Sequence, residues 1–207
     1  PIASIGWVTS LVQSAAASME RLNEFLSIEP DFKSGEYIPD SFKGNIEFRN
    51  VSFTYPNSGI EALKNVSFTL ASGKSLGILG KTGAGKSTIT SLIVRQYDPN
   101  SGEILIDGID LKQWHLPTLK SFLGWVPQEA FLFSDSISRN ISFGLNKTEA
   151  KNIQHAAIAA GVHENIIEFP NAYETQVGER GVTLSGGQKQ RISIARALAK
   201  KPKLMIF

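Results

Sequence analysis

No cysteine occurs in the 207 residues. Its absence excludes a disulfide framework and any thiolate metal site, and it fits a reducing, cytoplasmic face. Net charge is scarce too, at +2, too little for nucleic acid or an anionic lipid surface to be the main partner. An initiator methionine and a basic N-terminal region are both missing, so no signal peptide is expected. Internal repeats and low-complexity tracts are also lacking. The chain starts abruptly and stops abruptly on KPKLMIF (201–207), and both ends read as cut.

Charge is missing altogether from Pro1 to Met19. Apolar residues recur at Ile5, Val8, Val12, Ala15, Met19, Leu22 and Leu26, a strict alternation of three and four. That is a heptad-like stripe on one side of a long helix. Ser4, Thr9, Ser10, Gln13, Ser14 and Ser18 make the stretch too polar for a lipid-exposed span. Its small residues, SAAAS at 14–18, let another helix approach closely. Two readings stand: a packing helix (or half a coiled coil) of a soluble protein, or the last part of a membrane-domain helix running out into the cytoplasm. Residues 29–43, with two prolines, a glycine and several charges, read as a linker and domain boundary.

From residue 44 onward the pattern is α/β. NIEFRNVSFTY and ALKNVSFTL alternate with period two around the turn-rich PNSGIE, which predicts an antiparallel flank. KSLGILG predicts a short strand, KSTITSLIVRQY a helix, GEILIDGID a strand turning at Asp107-Gly108, and FLGWVPQ another strand. Helical patterning dominates from about Ser136 to Lys200, and KLMIF predicts a strand buried on both faces of a parallel sheet.

Between the KSLGILG strand and its helix stands GKTGAGKST: Gly80, Lys81, Thr82, Gly83, Ala84, Gly85, Lys86, Ser87 and Thr88. Gly80, Gly85, Lys86 and Ser87 fill the G-x-x-x-x-G-K-[ST] phosphate-loop pattern. The glycines let successive N–H groups curl inward around phosphate oxygens, and the helix after them adds its positive end. Lys86 brings a full charge to the β- and γ-phosphates, and the Ser87 hydroxyl can ligate Mg²⁺. Chance supplies the pattern in roughly one chain of this length per hundred, before the flanking strand and helix are required. A nucleoside triphosphate site is therefore expected.

A second anion-binding helix start is written downstream in LSGGQKQR (184–191), where Ser185 is a natural N-cap before Gly186, Gly187 and Gln188. From about Asn45 onward the sequence resembles the nucleotide-binding domain of ABC transporters, whose signature motif is LSGGQ. The resemblance implies an α/β, P-loop NTPase core of the ABC ATPase type with an antiparallel β flank and a helical subdomain at about 129–190, preceded by the long N-terminal helix. It implies that Tyr55 of VSFTYP stacks on adenine, and that Gln128 of VPQEAFLF reaches the metal and the lytic water. It also implies that ETQVGERG (174–181) faces the coupling helices of a membrane domain. Read alone, Tyr55 is equally a sheet-edge aromatic, Gln128 a loop polar group, and Glu179 with Arg180 a solvated pair.

The same resemblance implies an exporter-type ATPase using ATP and Mg²⁺, on the cytoplasmic face of the plasma or inner membrane. Residues 1–28 become the end of the last transmembrane helix and 44–207 the nucleotide-binding domain. Two such domains would pair head to tail, Ser185 and Gly187 of one meeting the γ-phosphate on Lys86 of the other. The Walker B Asp, the catalytic Glu and the switch His fall beyond Phe207, and His115, His155 and His163 lie on the wrong side of the signature. A fragment cut there is expected to hydrolyse ATP poorly or not at all. The rival expectations are a soluble ABC-type ATPase of DNA repair or translation, and a nucleotide clamp without hydrolysis.

Overall fold

Strict alternation in IEFRNVSFT breaks at Arg49-Asn50, and the break decides how the first sheet faces the core. In the computed structural model, which describes residues 2–28, 33–145, 149–178 and 183–207, β1 spans Ile46–Thr54. Asn50 takes a left-handed backbone (φ 47°) and the register shifts between Phe48 and Val51. This bulge lets Ile46, Phe48, Val51 and Phe53 all point inward. β1 pairs antiparallel with β2 (Glu61–Leu70) on one side and with β3 (Ser101–Ile106) on the other. The two-residue β4 (Ile109–Asp110) closes the sheet in the order β2-β1-β3-β4.

A second, two-stranded parallel sheet joins β5 (Leu123–Trp125) to β6 (Leu204–Ile206). Between the sheets lies a core of Ile46, Phe48, Leu92, Ile104, Trp114 and Leu119, with α2 (Lys86–Ile93) and α3 (Leu116–Phe122) packed into it. A separate apolar cluster, including Ile137, Ile141, Ala157, Ile166 and Ile192, is gathered by α4 (Ile137–Ser142), α5 (Ala150–Ala159), α6 (His163–Ile167) and α7 (Gly186–Ala199). The long helix α1 (Ile2–Leu26) forms a compact unit of its own with residues up to Lys33. None of the described helices is long and apolar enough to cross a membrane.

Two strand expectations need correction. KSLGILG is unpaired: residues 74–80 make no strand, and Leu79 is 96% exposed. β6 pairs on one side only, with Ile206 buried while Leu204 and Met205 are half-buried and Phe207 is exposed. A strand needs a hydrogen-bonded neighbour as well as apolar side chains. Among the described residues, neither the run at 74–80 nor the free edge of β6 has one; a groove of about 850 Å³ is lined by both.

Residues 34–43 are held against the domain. Tyr37 donates its N–H to Gln113 and accepts from the His115 N–H (both 2.9 Å), and its ring meets Trp114 edge-on. The next grip is Asp107, whose carboxylate accepts from the backbone N–H of Lys43 (2.8 Å), Gly44 (3.2 Å) and Asn45 (2.9 Å), and from the Asn45 amide (3.1 Å). Burial alone would raise the Asp107 pKa. The backbone donors of Asn45, Lys43 and Gly44, with the Asn45 amide, outweigh it and hold the pKa below its ordinary 3.8.

Asp107→Ala leaves these N–H groups without their acceptor and is expected to cost about 1–3 kcal/mol, read as a lower urea midpoint. A group whose folded pKa is depressed contributes stability above its unfolded pKa, and that stability is lost as pH falls through the folded value. The gap between wild type and variant should therefore be constant above about pH 5 and close below about pH 4. A gap that persists unchanged down to pH 2 would rule out the charged clamp.

Candidate functional site

The phosphate-loop sequence is bent by two close approaches. Gly85, the residue before α2, has φ 82° and ψ 9°. A Cβ on it would overlap the Ala62 carbonyl of β2 and press on the Leu63 side chain at 2.9 Å, so backbone and space both require glycine there. At Gly80 a Cβ would sit 3.2 Å from that of Ala84. The turn between them is closed by Ala84 N–H donating to Lys81 O at 3.2 Å. No side chain caps α2, so its first N–H groups and the positive end of its dipole are left for a ligand. Lys86 folds back and donates from Nζ to Gly80 O and Lys81 O, each at 2.9 Å. Its ammonium is thus held beside an uncapped helix start, and no carboxylate pairs with it among the described residues. Lys81, Thr82, Gly83 and Ala84 form the exposed rim.

Ser87 is exposed and Thr88 buried. Tyr55, at the end of β1, shares a 3.0 Å hydrogen bond with the Thr88 hydroxyl and packs edge-on against Phe53 and Tyr97. Its ring is therefore anchored to the first turn of α2 while remaining only half-buried. Gln128 stands exposed on the bend just after β5. Lys86, Ser87 and Gln128 line one groove, the same one bounded by residues 74–78 and β6. The structure brings these three together.

It does not bring the signature residues to that groove. Ser185 caps α7, its hydroxyl accepting from Gln188 N–H (3.3 Å) while the Gln188 side chain accepts from Ser185 N–H (2.9 Å), a complete capping box. The Ser185 oxygen acts there as acceptor, leaving its O–H to donate elsewhere. A Cβ on Gly186 would meet nothing within 4 Å, and one on Gly187 only the Arg191 guanidinium at 3.9 Å. Neither has a positive φ. Of the ETQVGERG segment, Glu174 accepts from the Ser138 hydroxyl at 2.8 Å, whereas Glu179, Arg180 and Gly181 lie outside the described residues. The histidines are used locally: His115 Nδ1 bonds Thr118 (2.8 Å) and His163 Nδ1 bonds Tyr173 (2.9 Å).

Residues that sequence reasoning passed over organise this region. Arg196 on α7 donates to Asn140 O (2.8 Å), Asn140 Oδ1 (3.0 Å) and Phe131 O (3.0 Å). Burial lowers its pKa, and the same holds for Lys200, which donates to Lys120 O (3.0 Å) and Leu123 O (3.2 Å). One signal was available. Arg196 falls three and four residues after Ser193 and Ile192, on the helix's buried stripe.

The chain as a whole is similar to known proteins. The family model described as ABC transporter matches residues 63–207. The probable multidrug resistance ABC transporter ATP-binding/permease protein YheI of Bacillus subtilis is 42% identical over the whole chain. The ATP-dependent lipid A-core flippase of Pseudomonas fluorescens is 41% identical, again over the whole chain. This chain spans only 36% and 35% of those two proteins. Among solved structures, a bacterial Atm1-family ABC exporter with ATP bound superposes with a TM-score of 0.87 at 36% identity, covering 98% of this chain and 36% of that one. With a family pattern running from the strand beside the phosphate loop to the strand after the signature helix, the chain belongs to the ABC transporter family.

Proposed function

We propose that residues 44–207 form the ATP-binding and ATP-hydrolysing domain of an ABC exporter, and that residues 1–28 are the cytoplasmic end of its last membrane helix. The observation that carries the reading is the Lys86 ammonium, held by two loop carbonyls beside an uncapped helix start, with no paired carboxylate among the described residues. A triphosphate supplies the missing negative charge and takes over the two carbonyl contacts. Tyr55, tethered to Thr88, offers a half-buried aromatic face for adenine.

A magnesium ion fits the donors present: the Ser87 hydroxyl and the Gln128 amide oxygen are hard ligands on one groove, and phosphate oxygens complete such a site. When bound, it offsets charge building on the transferred phosphoryl group. Gln128 orients the attacking water.

A second nucleotide-binding domain is the expected partner, alongside the membrane domain. Gly186 and Gly187 support this. Glycine in a helix costs roughly 1 kcal/mol against alanine, yet neither backbone angle nor packing among the described residues requires it here. The remaining reason is close approach of another body to the α7 start, where Ser185 still has a proton to donate. The proposed location is the cytoplasmic face of the plasma membrane.

Lys86→Ala should weaken binding of a fluorescent ATP analogue by about 10–100-fold, the loss of a charge-assisted contact. Binding as tight as wild type would sink the nucleotide reading. Gly187→Ala separates stability from function: thermal unfolding should be unchanged or shifted upward, while ATP turnover by the intact protein falls at least about tenfold, as a methyl blocks the composite site. Undiminished turnover in that variant would mean nothing docks against α7.

A further inference from the structure

The two half-buried cations at the end of α7 grip the chain on either side of Gln128. Lys200 donates to Leu123 O, five residues before it, and to Lys120 O, in the last turn of α3. Arg196 donates to Phe131 O, three residues after it, and doubly to Asn140. Asn140 is 1% exposed and passes the grip on, accepting from Phe133 N–H (2.8 Å) and donating to Phe133 O (3.0 Å) and Ser136 O (3.1 Å). The Arg196 guanidinium also lies 5.7 Å from the Phe133 ring centroid and 5.8 Å from that of Phe143. At positions four apart, Arg196 and Lys200 project from one face of the helix. All five hydrogen bonds run to neutral acceptors on other elements, and neither cation has a paired carboxylate among the described residues.

We propose that Arg196 and Lys200 are positioning residues that bracket Gln128, so that the signature helix sets where the Gln128 amide stands in the groove beside Ser87. α7 grips the chain at Leu123 O and at Phe131 O, and between them β6 also holds it, through its pairing with β5 and through Val126 N–H donating to Ile206 O (2.9 Å). Gln128 itself is exposed and makes no hydrogen bond among the described residues, so its place depends on these flanks. A shift of α7 relative to β6 changes the span between Val126, held by Ile206 O, and Phe131, held by Arg196, and Gln128 lies inside that span. The consequence for catalysis rests on the ATPase reading above; the bracket itself does not.

Hydrogen exchange by mass spectrometry on the intact protein, without nucleotide, tests the bracket. Arg196→Lys keeps the charge and stem but loses the fork that reaches Phe131 and Asn140 together. Exchange of the Phe131–Ser136 amides should quicken by about 10–100-fold, with α4, α5 and α7 unchanged. Lys200→Gln should do the same at Leu123–Trp125. Unaltered exchange in these segments overturns the proposal, and so does an increase spread evenly over α4, α5 and α7, which would mark a general stabilising role. A second readout is the magnesium concentration for half-maximal ATP turnover. Displacing Gln128 should raise it about 3–10-fold in both variants, whereas a merely less stable protein loses turnover at an unchanged magnesium midpoint. An unchanged midpoint beside locally quickened exchange overturns the effect on Gln128. If wild type neither binds nor hydrolyses ATP, the ATPase reading fails, and the nucleotide-free comparison still decides the bracket.

Discussion

The phosphate loop hangs on one close pass: Gly85 lies against the Ala62 carbonyl with no room for a side chain. That contact sets the left-handed turn at φ 82° from which α2 starts. It also sets the loop directly against β2 of the antiparallel sheet. The loop can then hold a lysine ammonium at its centre without a counter-ion. Such a charge is unfavourable in an apolar setting, but here two carbonyls at 2.9 Å and open solvent make it tolerable. The same arrangement leaves it ready for an anion.

The two glycine-bearing helix starts solve the same problem in different ways. α2 is uncapped, and its N–H groups have no side-chain competitor. α7 is capped twice over, by Ser185 and by Gln188. The capping box fills the Gln188 and Ser185 N–H groups and leaves those of Gly186 and Gly187 without a partner inside the helix. α7 also keeps a Ser185 hydroxyl proton, and among the described residues only the Arg191 guanidinium comes within 4 Å of a Cβ added at either glycine. The first start keeps its donors clear of side chains, and the second closes its end with a capping box.

Much of this was legible in the sequence because it is local. The phosphate loop, the N-cap at Ser185 and the turn at Asp107-Gly108 each need only a few neighbouring residues of the right type. The strand at 74–80 was misread for the opposite reason. Its apolar side chains are as expected, but strand formation requires a neighbour that sequence alternation does not supply. KLMIF shows the same half-truth, pairing through Leu204–Ile206 with β5 and presenting a bare edge to the groove. Asp107 was read as a turn former, while its grip on residues 43–45 spans more than sixty positions and leaves no local mark. Arg196 and Asn140 are 56 apart and escaped notice likewise, although a charge on the inward stripe of α7 was a visible anomaly.

The position of those cations explains why α7 matters beyond its signature motif. A 14-residue helix is about 20 Å long, and α7 carries different chemistry at its two ends. Its first turn presents Ser185 and two glycines to whatever approaches from outside. Its last turn grips the segments flanking Gln128, inside the same chain. An α-helix is stiff over this length, since each bend would stretch its hydrogen bonds. A displacement imposed at the first turn is therefore delivered at the last with little loss. Hydrogen bonds from a forked guanidinium to two separate carbonyls transmit such a displacement better than an apolar contact, because they resist sliding as well as separation. On this geometry one stiff helix carries the signature residues at its first turn and two of the grips flanking Gln128 at its last.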